Sequence, residues 1–530
     1  GGGSASHRPA TSPAVPVSQA ATAMGAATAL SRLLGFGRVL VVAAVLGTTD
    51  LGNTFSGANS VSNVFFDLLA AGALSAVLVP AFVELLDAGA DDEAEELGSA
   101  LLGRAMVVLV PLCAAGIVAA PALARVLVAG TDSSAVAADQ RQLATFLLRL
   151  FIPQVLLYAY GAVATAVLHA QRRFVVTAVA PIGNTLVMVF ALLAFRALSG
   201  SGTPSFDLTG VERLTLAAAG TLGVAAFVGV PAVALRRAGF RLGMRLAPSS
   251  ASGATRLRRA LRLSGWAGLQ HAGTGVLLGS ALLVGMGVTG GVVAYQVAFA
   301  CFLVPYAVFG LPAITAVLPE LAGQAAGDDR AAFGDSLRWA LGRMVMLLVP
   351  VTGAAVVFAP RLAEALAFGE TSEAGGRLIG VAGATLAVGL VPYGAFLLLV
   401  RACYALGEGR APAAAALGSA LLGATAMGAV GTAVDGTARM AVMGGAHSLA
   451  YLAGALVLGR AVSARTGQRL VPGGLGRVLA VTAVMAAAAA LVLAGIDPQT
   501  RTATVMVVSG LLGAGGAACF LVLRLRVVRA

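Results

Sequence analysis

Two arginines, Arg32 and Arg38, stand inside an apolar run of the sequence, where a charged side chain costs at least about 2.5–3.5 kcal/mol unless it faces a cavity or a partner. A guanidinium presents a fixed fork of donors that matches phosphate oxygens, so the chemistry such a pair suits is the clamping of phosphate, above all a diphosphate carried on a membrane lipid. Arg32 lies near enough to the end of its run to snorkel toward headgroups instead, whereas Arg38 lies deeper. Six residues apart, the two do not share one face of a straight helix, and Gly35 and Gly37 between them permit a bend. In the next run Asn63 and Asp67, four residues apart, fall on one helical face and can meet an arginine of the first run. Asp67 would balance that charge and respond to protons; the same pair could equally serve interhelical packing. Arg32, Arg38, Asn63 and Asp67 are therefore the candidate substrate-binding residues. Gln154, Asn184, Gln270, His271 and Gln296 are further polar residues within apolar runs, each read singly as packing.

No pattern in the chain points to catalysis, and the reading is of a protein that is not an enzyme. Cys113, Cys301, Cys403 and Cys519 are isolated within apolar runs, without the spacing of a zinc site, and the four histidines are equally scattered. No serine, histidine and aspartate arrangement sets a nucleophile beside a base. No metal and no cofactor is expected. All basic residues are arginine, and they give a formal net charge of +12. Loops on the cytoplasmic side of membrane proteins are rich in basic residues whatever the cargo, so this excess reads as topology and not as nucleic-acid binding.

The elements that must carry these residues are membrane helices. Of 530 residues 58% are hydrophobic and 11% charged, with a mean hydropathy of +0.92, against about 25% charged in an ordinary soluble domain. A bilayer core about 30 Å thick needs about 20 apolar residues per helical crossing, and irregular backbone cannot face lipid. Fourteen apolar segments follow, near 20–47, 54–86, 99–129, 142–169, 175–198, 212–235, 262–287, 291–324, 338–359, 378–406, 412–433, 440–462, 477–496 and 503–523. Residues 1–19, rich in Gly, Ser, Ala and Pro, read as a disordered lead. Arg32 and Arg38 within the first run argue against a cleaved signal peptide. Positive charge gathers from Arg236 to Arg262 and from Arg460 to Arg477, after even-numbered spans, and again at Arg172, Arg173, Arg330, Arg338, Arg524, Arg526 and Arg529. The positive-inside rule thus places both termini in the cytoplasm, although the connection from Asp87 to Glu96 is acidic.

The two halves echo one another. Gly72 to Leu85 reads GALSAVLVPAFVEL and Gly310 to Leu321 reads GLPAITAVLPEL; Pro80 and Pro319 are separated by nearly the same offset as Pro153 and Pro392, and His169-Ala170 pairs with Tyr404-Ala405. Matched, interrupted spans in two halves are the pattern of a transporter built from a repeat, with a site between its lobes.

Residues 31–38, SRLLGFGR, with the Asn63 to Pro80 stretch ending GALSAVLVP, resemble the opening of the MurJ/MviN family of the multidrug and oligosaccharidyl-lipid exporter superfamily. HAQRRFVVTAVAPIGN (His169 to Asn184), PAVALRRAGFR (Pro231 to Arg241) and RACYALGEGRAP (Arg401 to Pro412) resemble later family segments in the same order, so the resemblance spans roughly residues 20–525. It implies an all-α polytopic membrane fold of two pseudo-symmetric six-helix lobes plus two extra helices, divided here as N-lobe 20–235, basic cytoplasmic linker 236–261, C-lobe 262–462, basic loop 463–476, last two spans 477–523 and cytoplasmic tail 524–530. It also implies a lipid II flippase of the bacterial inner membrane, working by alternating access in peptidoglycan synthesis, with lipid II, membrane lipids and proteins of cell-wall synthesis as partners. Arg32 and Arg38 match the first-span arginines that receive the diphosphate in the family. Elsewhere the chain departs from the pattern: Val39 follows the second arginine where many members have Asp, Phe66 and Asp67 replace an arginine pair, Phe299 and Ala300 replace Asp-Arg, and 412–433 holds no Asp, Glu or Asn. A three-arginine clamp and a cation site therefore do not carry over.

Other readings remain beside this one. They are an exporter of another polyprenyl-diphosphate-linked glycan, a cation or drug antiporter of the same superfamily, which would favour an acidic and aromatic cavity, and a non-transporting scaffold of wall synthesis. A polytopic glycosyltransferase would need a larger acidic loop than any present.

Overall fold

Long apolar runs can satisfy their own backbone in lipid only as helices or closed barrels, and this chain forms helices. A computed structural model describes residues 17–66, 75–131, 133–200, 202–247 and 251–495, with no strand among them. The helices are α1 (Val17–Leu46), α2 (Asp50–Phe66), α3 (Ser75–Asp87), α4 (Asp91–Leu127), α5 (Ser134–Phe151), α6 (Gln154–Ala170), α7 (Phe174–Ser199), α8 (Gly210–Arg237), α9 (Ala251–Gly285), α10 (Gly291–Pro305), α11 (Leu311–Ala326), α12 (Arg330–Ala365), α13 (Glu373–Ala387), α14 (Leu390–Ala405), α15 (Arg410–Gly431), α16 (Gly436–Thr466) and α17 (Leu475–Ala494). Several begin at caps the sequence supplies. Ser133, Asp329 and Ser372 accept from backbone N–H groups of the first turns of α5, α12 and α13, and Thr209 with Glu212 closes a capping box on α8. α1 already covers residues 17–19, so part of the expected lead 1–19 is helical, while residues 1–16 lie outside the described residues. α1 runs unbroken through Gly35 and Gly37.

Among the described residues ten helices are long and apolar enough to cross a membrane, or eleven if α13 and α14, bent by 51°, form one crossing. The expected count of fourteen is not confirmed among the described residues. Span 54–86 falls on α2 and α3, with 67–74 outside the described residues, and span 262–287 falls on α9 up to Gly285. Span 503–523, the tail 524–530 and Cys519 lie outside the described residues.

The halves correspond in where their helices break. α5 and α6 part at Ile152 and Pro153, while α13 and α14 part at Val388 and Gly389, just before Pro392. α10 passes into α11 through a π-helical turn at Tyr306–Gly310, immediately after Pro305. Proline removes the helical hydrogen bond and crowds the preceding turn, which accounts for breaks at these positions. Burial follows the same division: one apolar core draws almost wholly on residues 277–470, and three others draw mainly on residues 42–240.

The halves meet firmly at one end. Asn53 of α2 donates from Nδ2 to the Val288 carbonyl (2.7 Å) and accepts from the Val292 N–H (2.9 Å), reading both sides of the α9–α10 turn. The Glu370 N–H and Thr371 hydroxyl donate to the carbonyls of Ala44 and Ala43, each at 2.9 Å. Arg196 at the end of α7 pairs with Glu370 at 2.6 Å. Glycines permit this approach. Gly290 has φ +72°, and a Cβ there would lie 2.4 Å from the carbonyl carbon and oxygen of Thr48. Gly290→Ala is expected to lower stability by at least the ~1–3 kcal/mol of a strained backbone, seen as a reduced melting temperature in detergent. Gly279→Ala in α9, where an added Cβ meets nothing within 4 Å, is expected to leave the melting temperature unchanged or slightly raised.

At the opposite end a second contact joins two connections of unlike charge. Glu95 accepts from the Arg241 N–H (2.6 Å), and Glu96 pairs with Arg245 (2.9 Å). The acidic start of α4 thus lies against the basic segment after α8, which accounts for acid next to a connection where the charge pattern predicted base.

Candidate functional site

α1 changes character along its length. From Gly25 to Arg38 every residue is partly or fully exposed, whereas Val42, Ala43, Val45 and Leu46 are buried under the interlobe seal. Both arginines lie on the open stretch. On a continuous helix six residues put them about 9 Å apart along the axis and roughly 120° apart around it, and they face different halves of the molecule. Arg38, partly buried, lies within electrostatic reach of Tyr158 on α6, and the Tyr158 hydroxyl donates to Asn63 Oδ1 on α2 at 3.2 Å. Arg32, exposed, lies within electrostatic reach of Tyr306 in the π-turn and Tyr393 on α14. Tyr158 thus joins Arg38 and Asn63 into one polar group on the N-terminal half, while Arg32 addresses the C-terminal half. Asp67 lies outside the described residues.

The other intramembrane polar residues are mostly engaged locally. Gln154 donates to Thr221 (3.1 Å), Gln270 accepts from Tyr404 (2.9 Å) and Gln296 donates across the lobes to Ser60 (2.9 Å). The Asn184 side-chain oxygen is buried without a hydrogen-bond partner, close against Gly223. His271 is partly buried on α9.

Three groups that sequence reasoning passed over belong to this region. Arg401 on α14 also lies within electrostatic reach of Tyr306, so two guanidiniums, from opposite halves, converge on one phenol. An arginine inside the run 378–406 was a legible signal of the same kind as Arg38. Beyond Tyr306 an aromatic stack continues into the C-terminal half, from Tyr393 (4.8 Å between ring centres) to Tyr451 (4.7 Å) and His447 (4.9 Å). His447 is fully buried, with one ring nitrogen on the Tyr295 hydroxyl and the other on Tyr451 at 2.9 Å. Phe299, at a position where the family pattern carries charge, packs against Tyr295, Phe302 and His447. These residues come from three helices and a turn, and no spacing in the sequence unites them. Among the described residues no cluster of His, Cys, Asp and Glu could hold a metal ion.

Chemically, the open stretch offers guanidinium forks with phenolic and amide donors beside them, an arrangement that takes an anion rich in oxygens. Because Arg32 and Arg38 address different halves, a ligand bound between them touches both lobes at once.

A family model described as "Lipid II flippase MurJ" matches residues 42–509, beginning just after Arg38. Curated relatives include the probable lipid II flippase MurJ of Rhizobium tropici, 30% identical over 301 residues, which are 56% of this chain and 54% of that protein. Its counterpart from Rhizobium meliloti (strain 1021) is 28% identical over 317 residues, 58% of this chain and 55% of that one. The match therefore spans about half the length of these relatives. Among solved structures, a lipid II flippase MurJ in an inward closed conformation superposes with a TM-score of 0.73 at 16% identity, over 94% of this chain and 98% of that one. An inward-facing MATE family transporter of the MOP superfamily gives 0.64 at 14% identity, over 84% and 99%. At these identities the structures establish a shared fold.

Proposed function

We propose that this chain, which belongs to the MurJ lipid II flippase family, moves lipid II from the inner to the outer leaflet of the bacterial inner membrane by alternating access. The observation that carries the reading is that Arg38 and Arg32 stand on the open stretch of α1 and address opposite halves, while the far end of the same helix is sealed. A diphosphate entering from the open end meets Arg38 with the Tyr158–Asn63 pair on one side and Arg32 with Arg401 on the other. Its headgroup occupies the space between the lobes and its polyprenyl tail stays in lipid. Binding favours closure of the open end to the extent that the anion holds both lobes together, since a ligand shifts a conformational equilibrium only by its difference in affinity for the two states.

The orientation proposed has both termini in the cytoplasm, which makes the open end cytoplasmic and the Asn53 seal external. It is supported by the basic segments 236–262 and 460–477 and by the contact of Glu95 and Glu96 with residues 241–245, which sets one acidic and one basic connection on the same side. In this reading residues 20–235 form the N-lobe, 236–261 the linker, 262–462 the C-lobe and 477–523 the two added spans. The partners are lipid II and, on either side of the transport step, proteins of cell-wall synthesis.

The test is replacement of a depleted essential lipid II flippase by this chain in living bacteria, with membrane abundance verified. Restored growth and restored externalised lipid II support the proposal; a folded, inserted chain that restores neither refutes lipid II as cargo. A second reading, export of another polyprenyl-diphosphate-linked glycan, is favoured by Phe299 standing in an aromatic cluster where the family carries charge. It predicts failure of the rescue together with flipping of a different diphosphate-linked lipid in proteoliposomes.

A further inference from the structure

We propose that a groove on the flank of the N-terminal half, lined by Arg125, Arg141, Arg149 and Arg213, binds the phosphate of an anionic membrane lipid. The groove has a volume of about 440 Å³ and lies where the last turn of α4 meets α5 and the first turn of α8. That volume is within the range of about 300–1,000 Å³ that holds small ligands, and exceeds the need of a bare phosphate ion.

The charges in the groove are unbalanced. Among the described residues none of the four arginines forms an ion pair. The nearest acid in sequence, Glu212 beside Arg213, is committed to its helix cap, accepting from the Thr209 N–H and hydroxyl and from Ser199, each at 2.7 Å. Arg141 donates from Nε to the Ala137 carbonyl (3.2 Å), and the Nε of Arg213 is buried with no hydrogen-bond partner. Fork donors of the group are therefore left for a ligand.

Position makes the imbalance costly. Arg149 lies fifteen residues past the start of α5, about 22 Å along the helix, and the Leu150 carbonyl beside it accepts from Thr221, well inside α8. The lining includes the apolar Pro121 and Phe146, and Leu123, Val126, Leu150 and Leu214, each within two residues of a lining arginine, are exposed, as expected of a surface facing acyl chains. Snorkelling relieves a single arginine at a helix end; it does not account for four converging on one cavity, where each repels the others. A phosphate oxygen pair satisfies guanidinium forks geometrically and supplies the missing charge. The apolar rim selects a phosphate that arrives with acyl chains, so the source is a lipid headgroup in the leaflet at the α4–α5 turn. The site is separate from Arg32, Arg38 and Asn63, on α1 and α2, and does not depend on the cargo proposed above.

The test uses the full chain reconstituted in nanodiscs of phosphatidylcholine with phosphatidylglycerol titrated in, and native mass spectrometry to count retained lipids. The wild type is expected to retain phosphatidylglycerol over phosphatidylcholine. Arg125→Gln with Arg149→Gln, both exposed side chains, is expected to weaken that retention at least tenfold, and Arg149→Lys alone to weaken it less. Inorganic diphosphate at millimolar concentration is expected not to displace the lipid. Equal retention of both lipids by the wild type, or undiminished retention by the double variant, overturns the proposal. Displacement by inorganic diphosphate overturns the lipid assignment in favour of a soluble phosphate. Should the double variant lose its melting transition, the single Arg149→Gln variant is judged by the same criteria.

Discussion

Arg38→Ala, at membrane abundance equal to the wild type, is expected to abolish rescue of flippase-depleted cells and to reduce lipid II translocation in proteoliposomes by at least tenfold. A charge-assisted hydrogen bond is worth about 1.5–3 kcal/mol, and a tenfold change corresponds to about 1.4 kcal/mol. Arg38 is the deeper of the two candidates, and it lies within electrostatic reach of Tyr158, which is hydrogen-bonded to Asn63. Arg38→Lys is expected to restore only part of the activity, since an ammonium keeps the charge but not the fork. Arg32→Ala is expected to be milder, because Arg401 addresses the same phenol from the other lobe; the double replacement should then match Arg38→Ala. Full rescue by Arg38→Ala would remove the phosphate clamp from the mechanism.

The second large effect is a reversible lock. The hydroxyls of Thr48 and Ser372, one from each half, lie 3.3 Å apart within the seal, close enough for cysteines at both positions to bridge after a small rotation of their side chains. Thr48→Cys with Ser372→Cys, in a background lacking the native cysteines, is expected to lose essentially all transport on oxidation and to regain it with reductant. Either single cysteine should be insensitive to oxidation. If the seal never opens during the cycle, the oxidised double variant will transport as well as the reduced one, and alternating access through this end will have to be abandoned. The thiols to be removed for the control are four: Cys113 and Cys403 are buried, Cys301 is partly buried, and Cys519 lies outside the described residues.

Much of this architecture is legible in the sequence alone, because burial in lipid is encoded by residue type. The apolar runs place most helix starts within about five residues, although α4, α5, α9 and α12 begin earlier than the runs by about eight to eleven, and the matched prolines anticipate the paired breaks at Pro153 and just before Pro392. The number of crossings is less legible, since a span bent by 51° at Val388 has the same composition as a straight one. Arg38 and Asn63 announce themselves as polar residues in apolar text, but Tyr158, which connects them, looks like any aromatic in a span. His447 and its tyrosines are brought together from distant parts of the chain by tertiary packing alone. The seal is the least legible part. Many of its hydrogen bonds run to main-chain carbonyls and N–H groups, which every residue possesses, so its traces in the sequence are few: Asn53, Arg196 with Glu370, the hydroxyls of Thr48, Thr371 and Ser372, and positive-φ glycines such as Gly290.

That reliance on main-chain groups bears on turnover. When the lobes part, each amide and carbonyl released from the seal can take up water, and a protein–protein hydrogen bond is exchanged for hydrated partners at a net cost of only about 0.5–1.5 kcal/mol. Apart from the Arg196–Glu370 pair, wetting of these groups then becomes the slow event of opening. The pace of the cycle should accordingly follow water activity: osmolytes that withdraw water from the outer face will slow it without weakening the grip on cargo.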